Sequence, residues 1–183
     1  MPITFHIADI KFSLRNQTAL KKFIAQQIAT SSPRHLVTLS FIFCSDEFLL
    51  AINKQFLNHD YYTDIITFPM VQTKEELEAE IYISVDRVKE NAEKYKVSSA
   101  RSEFRSKGKS NPWPPATRPF EVELTRVIFH GVLHLLGYKD KTKANKLIMS
   151  KMEDKWINQF SIYSSKREKA KEAKCVFVLR KQP

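Results

Sequence analysis

Between Glu121 and Leu136 runs a helix-length segment that is apolar on nearly every side, and it narrows the folds open to this chain. A helix without a polar face cannot lie at a surface, so it is predicted to be a buried central helix. Gly137 stands where a left-handed residue can close that helix. Two polar rings, His130 and His134, interrupt the apolar run. Burying them is costly unless each finds a partner, so the segment has to be read for chemistry as well as for packing.

The rest of the chain supplies what would cover such a helix. Ile3–Ala8 reads as a short strand, and Val37, Leu39, Phe41 and Phe43 alternate as a second strand with one face buried. Between them, a helix starting at Asn16 or Thr18 presents Leu20, Phe23, Ile24 and Ile28, and Ser31-Ser32-Pro33 ends it. Ser45 offers an N-cap oxygen for a helix with Leu49, Ile52 and Phe56 inward. Asp64–Met70 and Glu80–Val85 are two further strands, expected to pair as a hairpin across the short acidic connection Val71–Ala79. Helical character returns at Asp86–Val97, and Thr142–Phe160 is predicted to form a terminal helix.

Ser98–Pro119 differs in kind. It holds four of the eight prolines, five serines and Gly108, and its few apolar residues recur with neither period, so a loop or disordered insert is expected. Such an insert is tolerated when its ends lie close, because closure entropy rises slowly with length. The domain reading is a single domain over 1–160, interrupted at about 98–119, followed by a basic tail over 161–183.

The net charge of +10 belongs to those two segments. The insert carries Arg101, Arg105, Lys107, Lys109 and Arg118 against Glu103, and the tail carries seven basic residues against Glu168 and Glu172. What remains is nearly neutral. Any affinity for polyanions therefore lies at the periphery, where basic segments are also common without a partner. Trp113 in the insert could stack on a base, although isolated exposed aromatics are often incidental. No apolar run approaches the ~20 residues of a membrane span. The alternating first dozen residues lack the core of a secretion signal, and two cysteines make no disulfide framework. The expectation is a soluble cytoplasmic protein without a membrane partner or a nucleotide cofactor.

The chemistry resides in His130-Gly-Val-Leu-His134-Leu-Leu-Gly137-Tyr-Lys-Asp140. Histidines four apart project from one helix face, one turn apart. Two ring nitrogens so placed can share one ion at the ~2.0–2.1 Å of Zn–N bonds. A reversal at Gly137 would let Asp140 return as a third ligand. Two imidazoles and one carboxylate leave a tetrahedral ion with an open position, where the pKa of water falls to about 7. The competing reading is a pair of satisfied core histidines; the following glycine and acid at turn spacing favour the metal. This spacing also matches the extended zincin pattern, in which a Glu after the first His is the general base. Here that position is Gly131, so a zincin-like metallopeptidase ranks second.

His130–Tyr138 closely resembles the signature HGxLHLxGYDH of the YbeY family of metal-dependent endoribonucleases, linked to ribosomal RNA maturation. Asp60-Tyr-Tyr-Thr63-Asp64-Ile-Ile-Thr-Phe68-Pro69 is similar to that family's DxPTDVLSFP, and Glu80-Ile-Tyr-Ile-Ser84 to its GDIxIS. Asp140 stands in place of the family's third histidine, Leu57 in place of an Arg, and Glu80 in place of the Asp of GDI. The family normally has neither the insert nor so long a tail.

The resulting fold expectation is α+β: a small mixed four-stranded sheet covered by helices, with the metal-bearing helix central. The resemblance implies hydrolysis of RNA phosphodiesters in ribosomal RNA maturation and ribosome quality control, with RNA and the ribosome as partners. One zinc ion per chain is expected at His130, His134 and Asp140. Arg126, Lys139 and Lys141 are candidate RNA contacts, although Arg126 could instead pair with Glu80 or Asp86. The alternative is a ribosome-assembly factor with a structural metal and no turnover.

Overall fold

The computed structural model describes residues 2–102 and 119–179. In chain order the elements are β1 (Ile3–Ile7), α1 (Gln17–Ser31), β2 (His35–Cys44), α2 (Asp46–Leu57), β3 (Ile65–Gln72), β4 (Glu76–Ser84), α3 (Val85–Ser102), α4 (Pro119–Leu135) and α5 (Lys143–Leu179). The strands form one sheet in the order β1-β2-β4-β3. β1 and β4 run parallel to β2, and β3 runs antiparallel to β4. This is the mixed four-stranded α+β architecture expected from the sequence.

Strand periodicity decides which helix covers which face. Leu39, Phe41 and Phe43 of β2 and Leu77, Ala79, Ile81 and Ile83 of β4 point to one side, into a core shared with α1, α4, α5 and the start of α3. On that side Phe129 of α4 packs against Phe23 of α1 and Trp156 and Phe160 of α5, at centroid distances of 5.4, 5.6 and 5.8 Å. The opposite face is smaller: Cys44, Leu49 and Ile66, flanked by Ile52, Phe68 and Tyr82, lie under α2. There burial pushes the Cys44 thiol up to about 12, with the charges of Asp9, Asp46 and Asp86 adding to the effect, so it is an inert core residue.

Local chemistry explains the boundaries. Ser45 caps α2 as expected, its Oγ accepting from the Phe48 N–H at 3.1 Å. The hairpin forms, but β3 and β4 extend well into the connection expected over Val71–Ala79. Only 73–75 turn, because the Thr73 hydroxyl accepts from the Glu75 and Glu76 N–H groups. α3 continues to Ser102, so the first residues of the anticipated insert are helical. Residues 103–118, including Trp113, lie outside the described residues. α5 runs on to Leu179, through most of the anticipated tail, because residues 161–179 hold helix-forming Lys, Arg, Glu and Ala with no Gly or Pro. Among the described residues no helix is long and apolar enough to cross a membrane.

α2 departs from its predicted face. Leu49 is buried, but Phe56 is 61% exposed and makes an edge-to-face contact with Phe68 at 5.7 Å. The buried position one turn earlier is taken by Asn53. The reason is that α2 ends beside edge strand β3, beyond which no further strand offers a surface. Phe56→Ala should therefore cost less than about 1.5 kcal/mol. Phe41→Ala, at a fully buried site, should cost about 3–5 kcal/mol. Urea unfolding followed by circular dichroism measures both, and equal losses would contradict this placement.

Candidate metal centre

α4 positions the two histidines. It crosses the sheet at Gly131, where an added Cβ would lie 2.8 Å from Ile65 Cδ1 and 3.1 Å from two carbons of Ile81. The residue after His130 therefore faces packed side chains of the sheet. A glutamate there would have to enter that core, which gives the missing zincin base a structural reason. With Gly131 turned inward, His130 and His134 are turned toward a partly open surface.

The end of α4 completes the arrangement. Gly137 has φ of 95°, and no atom lies near the Cβ it lacks, so the backbone conformation alone selects glycine. The N–H of Tyr138 reaches Leu133 O at 3.1 Å and that of Gly137 reaches His134 O at 3.0 Å, forming a Schellman cap. This reversal sets the Tyr138 carbonyl 2.9 Å from His134 Nδ1. It also returns Asp140, whose Oδ2 lies 4.0 Å from His130 Nε2. His130, His134 and Asp140 bring one donor atom each within 4.8 Å of one another, a group that could hold a metal ion.

The hydrogen bonds identify the donors. A carbonyl only accepts, so His134 Nδ1 carries the hydrogen that it donates to Tyr138 O. His130 Nδ1 lies 2.7 Å from Glu153 Oε1, a carboxylate, and donates likewise. When both rings are neutral, each Nε2 presents a lone pair, and the two nitrogens are 2.9 Å apart. Two lone pairs aimed at one another need a proton or a metal cation between them, and Asp140 adds a negative oxygen that a cation would also satisfy. Nδ1 donation to a carboxylate or carbonyl is also how metal-bound imidazoles are oriented and made more basic. The residues present fit a divalent cation of the zinc type.

Glu153 is itself held. Burial would raise its carboxyl, but the hydrogen bonds and charges of His130 and Arg126 outweigh that and lower it. Arg126 Nη1 lies 3.1 Å from Glu153 and 2.9 Å from Asp154, with Glu123 at 3.7 Å from Nε. Arg126 thus pairs with these three carboxylates and with neither Glu80 nor Asp86. Lys141 lines a hollow of about 720 Å³ with both histidines and Asp140, while Arg126 lines a smaller one of about 260 Å³ that shares Asp64, His130 and Asp140 with it. Lys139 is exposed and lines neither hollow.

Two site residues escaped the sequence reading. Glu153 comes from α5, and no spacing relative to His130 could have flagged it. Asp64, just before β3, lines both hollows, and burial holds its carboxyl above the usual range despite favourable interactions with backbone N–H groups and His130. Its signal was present, since Thr63-Asp64 lies within a quoted motif, but the motif carried no role for it.

Glu153→Gln should weaken metal affinity about 10–100-fold, measured by competition with a chromogenic chelator. The same pair gives the metal-free protein a pH signature. Burial lowers the His130 pKa, but Glu153, Asp140 and Asp64 together raise it above 6.5. Its stabilisation is therefore full below 6.5 and is lost as pH rises through the raised value. The lowered Glu153 contributes fully above 4.5 and loses its contribution as pH falls through the lowered value. The pair stabilises most between these limits, by about 1.5–3 kcal/mol. Thermal melts of the chelated protein across pH should show a maximum there that Glu153→Gln flattens.

Comparison with known proteins follows the same residues. The family model described as Endoribonuclease YbeY matches residues 3–105 and 115–161, leaving a gap inside the compositional insert. Endoribonuclease YbeY of Cytophaga hutchinsonii is 40% identical over 152 residues, covering 83% of this chain and 91% of the relative. The proteins of that name from Flavobacterium psychrophilum and Karelsulcia muelleri are 37% and 38% identical. They cover 84% and 81% of this chain, and 94% and 89% of their own lengths. The match spans every strand and the whole of the His130–Asp140 segment, and the chain belongs to the YbeY family of endoribonucleases.

Proposed function

We propose that this chain is a metal-dependent endoribonuclease that hydrolyses phosphodiesters of ribosomal RNA during its maturation and quality control, using one zinc ion held by His130, His134 and Asp140. The observation that carries the reading is the pair of Nε2 atoms 2.9 Å apart, with both Nδ1 atoms already committed. A bound cation would supply Lewis-acid activation of water and of the scissile phosphoryl group.

The chain's own residues do the rest. Glu153 and the Tyr138 carbonyl hold the two rings in one orientation, so no rearrangement is needed when substrate arrives. Lys141, in the larger hollow, attracts the phosphate backbone as a mobile point charge. Lys139 adds positive charge beside the site, while Arg126, a weaker candidate for RNA contact, is neutralised by the three carboxylates around it. Asp64 lines both hollows and burial raises its carboxyl above the usual range, which suits it to exchange a proton with the reacting groups. Against a purely structural metal stands the partial exposure of all three ligands: a site meant only to hold the fold is closed.

The purified chain should contain about one zinc ion, and His130→Ala combined with His134→Ala should remove it, as read by elemental analysis. A structured ribosomal RNA fragment should be cleaved by the intact chain, with cleavage abolished by chelator and by His134→Ala. An unfolded protein substrate should remain whole. RNA binding without turnover at full zinc loading would instead establish the assembly-factor alternative.

A further inference from the structure

The larger hollow has a wall that none of these steps uses. Residues 58–64 join α2 to β3, and this loop is tied from within by Asn53, which is 1% exposed. Its Nδ2 donates to the Tyr61 carbonyl at 2.8 Å, and its own carbonyl accepts from the His59 N–H at 3.2 Å. A loop anchored at two backbone points by a buried amide residue has its main chain held at His59 and Tyr61. Upon it the rings of His59 and Tyr61 stack, with centroids 5.0 Å apart and planes 24° from parallel. The Tyr61 hydroxyl lies 3.1 Å from His59 Nδ1.

Neither ring is buried by this arrangement. His59 covers one side of Tyr61, yet Tyr61 is 57% exposed, so the remaining ring surface faces the solvent. Aromatic side chains stabilise a fold by burying area, and this pair forgoes that gain. Leu57, 41% exposed, extends the same wall. Lys141 is the one lysine or arginine among the described residues that line the hollow. A wall of ring and aliphatic surface suits a flat uncharged ring better than a phosphate. Tyr62, next in the chain, is already engaged: its hydroxyl donates to Glu47 at 3.0 Å, and the Arg87 guanidinium lies 5.0 Å from its ring centroid.

We propose that the His59–Tyr61 stack is a nucleobase platform. An unpaired base of single-stranded RNA lies on the open surface of Tyr61, and this contact selects which neighbouring phosphodiester reaches His130, His134 and Asp140. The inference rests on the ribonuclease reading of the site. Every base has a π face, so the platform tolerates sequence but requires an unstacked, single-stranded nucleotide.

The test uses short single-stranded RNA oligonucleotides in which one abasic nucleotide is stepped along the strand. Equilibrium binding to the full chain is read by fluorescence anisotropy with chelator present, and initial cleavage rates are read on the zinc-loaded protein. With the wild-type chain, one abasic position should weaken binding about tenfold, the order of one stacked base. Tyr61→Leu should bind intact RNA about tenfold more weakly and should no longer distinguish that abasic position. Tyr61→Phe, which keeps the ring, should retain the wild-type pattern, and thermal melts of both variants establish that they are folded.

Equal sensitivity of wild type and Tyr61→Leu to the abasic position would overturn the platform, as would unchanged binding by Tyr61→Leu. Position-dependent binding without cleavage would sink the ribonuclease reading and leave the platform standing. Cleavage with no abasic dependence would do the reverse.

Discussion

Where Gly131 faces Ile65 and Ile81, α4 approaches the sheet so closely that a single added carbon would lie 2.8 Å from a side-chain atom. That close approach sets the rotation of α4 about its axis. Because helical residues follow one another at 100°, turning 131 to the sheet turns 130 and 134 together toward the partly open side. The aromatic cluster of Phe23, Phe129, Trp156 and Phe160 holds the same rotation from behind. Cores are packed as densely as organic crystals, so a helix clamped on both sides has little freedom to slide. The geometry of the two imidazoles is thus a consequence of core packing several ångströms away.

A second layer of order is electrostatic. Glu153 is almost wholly buried, a position a carboxylate occupies only with partners, and it has two in His130 and Arg126. Arg126 in turn meets Glu123 and Asp154. The chain of contacts runs from α5 through α4 to the group formed by His130, His134 and Asp140, so α5 takes part in the site without adding a member to that group. The Schellman cap at Gly137 does the corresponding work for His134, using a backbone carbonyl where His130 uses a carboxylate. Both devices leave Nε2 free to present its lone pair when the ring is neutral, the condition for binding a cation through imidazole.

The two sides of the site have different characters. One hollow is lined by Asp64, Glu123, Asp140 and Glu153, with Arg126 and Lys146 among them. The other is walled by Leu57, His59 and Tyr61 and opens along edge strand β3. β3 has a partner on one side only, which leaves room beside it for an extended ligand, and the loop that precedes it brings aromatic rings to the rim. Loops held by a rigid scaffold commonly carry specificity in this way. Leu57, 41% exposed, adds apolar surface to this wall.

Much of this was legible in the sequence because it is local. Helical spacing of His130 and His134, the breaker at Gly137 and an acid three residues later depend only on neighbours in the chain, and so does the Ser45 cap. Alternation in β2 and the buried character of α4 are equally local, whereas the expectation of a mixed sheet leaned on the family resemblance. Contacts between distant residues were not legible. Glu153 reaches His130 from another helix, Asn53 pins Tyr61 through a backbone carbonyl, and Phe56 is exposed because the sheet ends beside it. The same limit explains Gly131, which reads in the sequence as a missing base and in the fold as a point of close approach to the sheet. Periodicity and capping act over a few residues and can be read from order alone. Which side chain meets which across elements is decided by packing, and only the assembled core determines that.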